Sequence, residues 1–342
     1  MNKIKLFMGR GSLGVAVLLL IVLLFSLLSG CTRTGEEQHS GAAEGFPYTF
    51  TDALGNTVTL EKKPERPAIL FSSFAEIWIS VGGEVAVTVE ETIERGFMEE
   101  GTVILAAEGP GKTIDLEILT AAEPDLVIVT ADLAGQVEIL ELLKEIGIPA
   151  AAMKEDTYED YLQLLRIFAD INGTAEPAMA RAAEVTEHIT SIRSRASEEA
   201  AALEQAGEQM NYLFIRAGSG FSSTKAKTAE DHFACVILDE LGGHNIADEA
   251  GELSDALSLE SILIAQPDRI FVVAMGNEEA SFAYMQELLS REGWSSLEAV
   301  QRGDIVYLSK EMFNYKPNGR WDESYRIIAK ALYPDIDWNE IR

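Results

Sequence analysis

The chain has 342 residues, with 56 acidic and 27 basic side chains and a formal net charge of −29. That balance excludes nucleic acid as a partner, since binding phosphates requires clustered Lys and Arg, and it suits a soluble exported protein. Its two cysteines, Cys31 and Cys235, do not make a disulfide framework.

Lys3, Lys5 and Arg10 form a positive start, Leu13 to Leu28 an apolar stretch, and Leu28-Ser29-Gly30-Cys31 places small residues before a cysteine. A membrane-spanning helix needs about 20 apolar residues, and this stretch is shorter. The pattern therefore reads as a secretory signal over residues 1–30. Its last four residues resemble the lipobox of bacterial lipoproteins. The resemblance implies cleavage before Cys31, diacylglycerol on its sulfur, and a lipid-anchored location on the extracytoplasmic face of the cell membrane. Residues 31–46, rich in Gly, Glu, Ser and Ala, lack apolar periodicity and read as a flexible tether. Cys235 is then alone, and its apolar neighbours Phe233 to Leu238 mark it as a core thiol.

From Phe46 the elements follow in order. Tyr48 to Asp52 and Val58 to Leu60 flank Leu54-Gly55-Asn56, which predicts a hairpin. Ala68 to Phe71 is a first buried strand. Phe74 to Val81 is helical, and Val85 to Val89 and Val103 to Ala106 are strands. A helix starts near Glu117 and leads into the strand Leu126 to Val129. Leu133 to Ile146 reads as one amphipathic helix, Ile148 to Met153 as a strand, and Tyr158 to Ile171 as a helix ended by Asn172-Gly173. Glu176 to Glu204 places Ala182, Val185, Ile189, Ile192, Ala196 and Leu203 at helical spacing, a continuous helix of roughly 43 Å. The alternation then restarts with strand Asn211 to Arg216, helix Ala229 to Leu241 and a helix near Glu260. Strand Ile270 to Val273, helix Ala280 to Leu289, strand Asp304 to Leu308 and helix Trp321 to Leu332 follow. Strands that are apolar nearly throughout and separated by helices predict parallel sheets covered on both faces. The expected fold is two α/β lobes, residues 47–174 and 206–342, joined by a single long helix over 175–205.

The lobes share a repeat. Ile114 to Val129 and Leu257 to Val272 align at an offset of 143 residues, with Leu116/Leu259, Glu117/Glu260, Ala122/Ala265, Pro124/Pro267, Asp125/Asp268 and Val129/Val272 identical. Asp115 and Ser258 are suited to N-caps, so Glu117 and Glu260 fall in the first helical turn, where the macrodipole favours a carboxylate. Two copies at a fixed offset point further, to equivalent corners on the two lobes able to meet one partner at two points.

With its lobe–helix–lobe plan, lipobox and paired L-E-x-x-x-x-A-x-P-D segments, the chain resembles the substrate-binding proteins of ABC importers for iron–siderophore complexes, vitamin B12 and haem. Thr51 to Asn56 leading to Pro64-Glu65-Arg66, Glu76 with Gly82-Gly83, and Leu241 to Ile246 extend the likeness over the mature chain. The resemblance implies a non-enzymatic binder, monomeric and without a resident cofactor, that holds a metal chelate between its lobes. An iron–siderophore is the first expectation, with haem or cobalamin as alternatives. It also implies that Glu117 and Glu260 dock onto the permease dimer.

Ligands of open α/β sheets bind beyond the carboxyl ends of the strands. Those positions are Ser72, Ser73, Phe74, Thr130, Asp132 and Lys154 in the first lobe, and Arg216 and Met275 in the second. To them is added the segment Phe313 to Trp321, whose Tyr315, Lys316, Asn318 and Trp321 offer aromatic walls and fixed charge for a large, partly apolar ligand with anionic groups. An arginine at a strand end, such as Arg216, needs a carboxylate or a ligand. His232 and Met275 leave axial ligation of haem open, but no His, Cys or carboxylate set has the spacing of a direct metal site. Gly109 to Thr113 mimics a phosphate-binding loop, yet Ala106 stands where that motif needs glycine, and an exported chain has no ATP supply. A tethered extracellular enzyme is the alternative of a different class, although no nucleophile–base motif is present.

Overall fold

A computed structural model describes residues 45–97, 101–108, 113–249 and 258–341. The leader, Cys31, the tether, Gly109 to Lys112 and Leu257 lie outside the described residues.

Two five-stranded sheets carry the fold. In the first, strands run in the order Val103–Leu105, Val87–Val89, Pro67–Ile69, Leu126–Thr130 and Ala150–Met153, all parallel. Leu126 to Val129 are fully buried, as a strand covered on both faces must be. In the second sheet Met210–Ala217 is central and parallel to Arg269–Ala274, which pairs with Ile305–Leu308. The opposite edge of the central strand takes two short pieces, Gly243–Asn245 parallel and Lys225–Ala226 antiparallel. The hairpin Tyr48–Thr51/Thr57–Leu60 forms as expected.

The long helix runs Ala175–Ala206, 32 residues, and stops at Gly207 with φ 74, the left-handed exit that glycine takes most readily. It does more than separate the lobes. Its Ile189, Ile192 and Ala196 belong to one apolar core that also contains Ile128 and Phe168 of the first lobe and Phe214, Tyr325 and Ile328 of the second. Each sheet buries its other face in a smaller core of its own. Arg193 pins the helix at both sides, donating to Glu159 of the first lobe at 3.4 Å and to Tyr325 Oη of the second at 2.6 Å, with Glu240 at 2.7 Å.

Two helices differ from expectation. Leu133 to Ile146 is not one helix but two, Ala134–Val137 and Ile139–Glu145. Gln136 accounts for the break: its buried amide accepts from Thr130 N at 3.0 Å and donates to Leu70 O at 2.7 Å, which ties the first turn to the sheet. The helix expected from Ala229 begins at Phe233, because His232 Nδ1 accepts the Ala234 N–H at 3.2 Å and caps it there.

The repeat has a structural half. Asp115 accepts from the N–H groups of Glu117 and Ile118 at 2.9 and 3.2 Å, and Ser258 Oγ accepts from Ser261 N at 3.4 Å. Both helices leave through a non-glycine residue in the left-handed region, Glu123 at φ 50 and Gln266 at φ 43, each before a proline that bars it from the helical region. The repeated aspartates then bind the start of the neighbouring strand. Asp125 accepts from Glu65 N and Arg66 N, each at 2.8 Å, and Asp268 accepts from Asn211 N at 2.9 Å.

Ile192→Ala removes a fully buried side chain from the core the lobes share. It is expected to lower stability by about 2–5 kcal/mol in urea unfolding, with probes in both lobes shifting together.

Candidate ligand-binding cleft

A cavity of about 370 Å³ opens where the carboxyl ends of the two sheets face each other. From the first lobe come Glu76, on the helix Ser72–Ser80, and Glu94, Arg95 and Phe97, from the helix after strand Val87–Val89. The second lobe supplies Glu278, and Lys310 to Met312 after strand Ile305–Leu308. The following loop adds Tyr315, Lys316, Pro317 and Arg320.

Arg95 is the most heavily engaged of these. Its Nη1 donates to Ser73 Oγ at 3.1 Å and Ser72 Oγ at 3.3 Å, and its Nη2 to Glu76 Oε2 at 2.5 Å. The guanidinium lies 4.7 Å from the Tyr315 ring centroid and 5.0 Å from that of Phe97, within cation–π range. Lys310 Nζ lies 4.9 Å from the same Tyr315 ring and has no carboxylate in ion-pair range among the described residues. Arg320 is held by Glu311 at 2.6 Å and Glu323 at 2.9 Å. Burial raises the Glu76 carboxyl above its usual range, against the pull of Arg95 and Asn318.

Behind the cavity the lobes are joined by a polar seam. Lys316 N donates to Ser73 Oγ at 3.3 Å, and Lys316 Nζ meets Asp156 at 3.1 Å while lying 5.2 Å over the Phe233 ring. Asn318 Nδ2 donates to Ser73 O at 3.1 Å and Glu76 Oε2 at 2.5 Å. Trp321 Nε1 donates to Glu155 Oε1 at 3.2 Å, and Glu155 Oε2 is buried without a partner. Lys154 pairs with Asp156 at 2.6 Å. Burial opposes ionisation of Asp156, and Lys316 and Lys154 outweigh it and hold the carboxyl below its usual range.

Of the residues expected at the ligand, Tyr315 and Lys316 line the cavity. Ser72, Ser73 and Asn318 are buried directly behind it and bind its wall. Phe74 and Trp321 are placed otherwise: both are 1% exposed and sit in the shared core, Trp321 packed edge-on against Tyr158 and Phe233. Thr130 is buried, its Oγ1 taken by Asp132 N at 3.2 Å. Lys154 faces solvent beside Asp156. Met275 is half-buried, with its N–H on Ala217 O at 2.7 Å. Arg216 is half-buried with no ion pair among the described residues, and burial lowers its pKa against the pull of Asp231. His232 is buried between Phe214 and Phe233, and burial, then Lys316 and Arg216, depress its pKa.

Sequence reasoning missed Arg95, Phe97 and Lys310. The signal was present. Arg95 is the lone cation after the acidic stretch Glu90 to Glu94, and both it and Lys310 follow a strand in an acidic chain. Glu117 and Glu260 are exposed, and neither carboxylate has a hydrogen bond or ion pair among the described residues. Ile118 adjoins the first, and Ile264, 79% exposed, stands one helical turn beyond the second.

A family described as periplasmic binding protein matches residues 68–312. The chain is similar to the ABC transporter substrate-binding lipoprotein YvrC of Bacillus subtilis, 22% identical over 335 residues, which cover 95% of this chain and 98% of that protein. It is also similar to a cobalamin-binding protein of Halobacterium salinarum, 23% identical over 338 residues, covering 95% and 86% respectively. Among solved structures, the TroA-like periplasmic binding protein FepB of Veillonella parvula matches with a TM-score of 0.65 and 18% identity, covering 85% of this chain and 93% of that one. That likeness concerns the fold alone.

Burial pushes the Glu155 carboxyl up to about 8, against the pull of Lys316 and the Trp321 N–H, whereas a glutamate in the unfolded chain titrates near 4.3. Between those values the folded chain keeps a proton the unfolded chain has lost. Stability present at low pH is therefore lost as pH rises through this window, by up to about 1.4 kcal/mol per pH unit from this group. Glu155→Gln is expected to flatten that slope and to stabilise the chain relative to the parent at pH 8.5. Urea unfolding from pH 5 to 9 measures it, and an unchanged slope would remove Glu155 as the source.

Proposed function

The chain belongs to the periplasmic binding protein family, and from that premise we propose that it is the lipid-tethered solute-binding component of an ABC importer whose cargo is an iron chelate bearing anionic groups. It binds and delivers and performs no chemistry on its cargo. The observation that carries this reading is the cleft wall: Arg95 between Phe97 and Tyr315, with the ammonium of Lys310, unpaired among the described residues, on the Tyr315 ring. Aromatic faces suit the apolar periphery of a chelate, and the two cations suit its negative groups. Arg95 already has its carboxylate, so a ligand anion competes with Glu76 for it, whereas Lys310 is available at once. Cobalamin is the second reading, favoured by the name of the halobacterial relative.

Delivery falls to Glu117 and Glu260. Both carboxylates are exposed and unpaired among the described residues, on first helical turns of opposite lobes, each near an exposed isoleucine, which suits a partner with two basic pockets rimmed by apolar surface. The shared core limits how far these corners shift, so a permease dimer meeting both engages the lobes in one relative pose.

Native purification with absorption spectroscopy and mass spectrometry of co-purifying material tests the cargo. A charge-transfer band with a ferric chelate mass is expected, and a cobalamin or Soret spectrum would replace the chelate reading. Against the cargo so identified, Arg95→Ala and Lys310→Ala should each weaken binding about 10-fold or more, the scale of a lost charge-assisted contact. Glu117→Ala combined with Glu260→Ala should abolish uptake with affinity near that of the parent. Normal uptake by that variant would overturn the docking assignment.

A further inference from the structure

Three non-glycine residues among those described have positive φ: Glu123, Gln266 and Asn318. The first two are the helix exits of the repeat. Asn318, at φ 52, has no such task, since it stands in the cleft loop of the second lobe. Its side chain is buried, its Nδ2 reaches across to Ser73 O and Glu76 Oε2, and its Oδ1 has no partner among the described residues. A left-handed asparagine with an orphaned acceptor persists only where its surroundings over-determine it, and such positions gather at clamps and switches. Here the surroundings are the opposite lobe.

The oxygen that receives Asn318 is also the one that receives Arg95. Glu76 Oε2 accepts Arg95 Nη2 at 2.5 Å from its own lobe and Asn318 Nδ2 at 2.5 Å from the other. We propose that Glu76 is a positioning residue that links cleft occupancy to lobe pose: it aims Arg95 into the cleft and, through the same oxygen, latches Asn318 of the facing lobe. This rests on the reading of the cleft as the ligand site.

The geometry gives the two bonds different lifetimes when the lobes part. Tyr315, Lys316 and Asn318 sit on one loop, so they withdraw together. Arg95 then loses the Tyr315 face but keeps Glu76, Ser72 and Ser73, all on the first lobe. An open cleft therefore still presents an oriented guanidinium. Closure restores Asn318 to Glu76 and seats Tyr315 over Arg95 in one movement. The cavity, about 370 Å³, is at the small end of ligand pockets, roughly 300–1,000 Å³, so a bulky chelate enters only once this latch has opened.

Hydrogen–deuterium exchange of the ligand-free full chain in detergent tests the latch independently of any cargo. Asn318→Gly deletes the amide and keeps the left-handed backbone without strain. Its peptides over Ser72–Ser80 and Tyr315–Arg320 should exchange about 5-fold faster or more, with Met210–Ala217 unchanged as the control for folding. Glu76→Ala should accelerate those peptides and also Glu90–Phe97, which carries Arg95. Glu76→Gln keeps an acceptor for Asn318, so it should restore the first two peptides and leave Glu90–Phe97 fast. Parental exchange in Asn318→Gly would overturn the latch, and parental exchange of Glu90–Phe97 in Glu76→Ala would overturn the positioning role. Either result is separate from the cargo identification, which the native spectrum decides.

Discussion

The apolar core that passes through the long helix is the constraint on which the rest depends. Two α/β lobes joined by a flexible strand could swing widely, but here Ile189, Ile192 and Ala196 share one core with both lobes, the long helix packing on the helix Tyr158–Asn172 of the first and Trp321–Leu332 of the second. Parting the lobes at that level would expose a shared core, at roughly 25 cal/mol for each Å² of apolar surface. Movement is therefore small and falls to the polar seam beyond that core. Arg193, bound to Glu159 on one side and to Tyr325 and Glu240 on the other, reinforces the closed edge. A stiff back and a polar front make a cleft that yields by small angles.

Given that frame, the position of the cleft follows from topology. Parallel strands deliver their carboxyl ends to one side of each sheet, and the core turns those sides toward each other. The loops there carry cations that the overall charge of −29 does not foreshadow. Most are matched locally: Arg95 by Glu76, Lys316 by Asp156, Arg320 by Glu311 and Glu323. A ligand entering such a site exchanges partners more than it neutralises charge. Discrimination among cargoes then depends on the geometry of a few donors and on the Tyr315 and Phe97 faces rather than on net potential.

Much of the frame was legible in the sequence because it rests on periodicity. Apolar strands alternating with helices, the long helix read from Glu176 to Glu204 and found at Ala175–Ala206, and the closing helix Trp321–Leu332 appear where their patterns lie. The site was less legible, for three physical reasons. An aromatic residue in a loop reads the same whether it walls a cavity or anchors a core, so Phe74 and Trp321 were read as wall and are core. A cation at a strand end is a single residue without a period, so Arg95 and Lys310 passed unnoticed. Tertiary hydrogen bonds also override local pattern: Gln136 divides a regular helical stretch by bonding to Thr130 and Leu70.

The repeat can now be separated into what folding requires and what it leaves over. The paired leucines and valines pack into the outer cores, and the paired prolines are buried after a left-handed exit. The paired aspartates are consumed by the N–H groups of the neighbouring strand. Asp115 and Ser258 already cap the two helices, so the glutamates add only a first-turn charge, about 0.3–1 kcal/mol each. Among the identical pairs they are the one polar type whose side chains make no hydrogen bond or ion pair with the described chain. Folding consumes the carboxylates of the aspartates and leaves those of Glu117 and Glu260 exposed on equivalent first turns. The cleft, by contrast, is built from loops the repeat does not share, so the lobes differ in the chemistry they bring to it and agree in the corner the repeat forms.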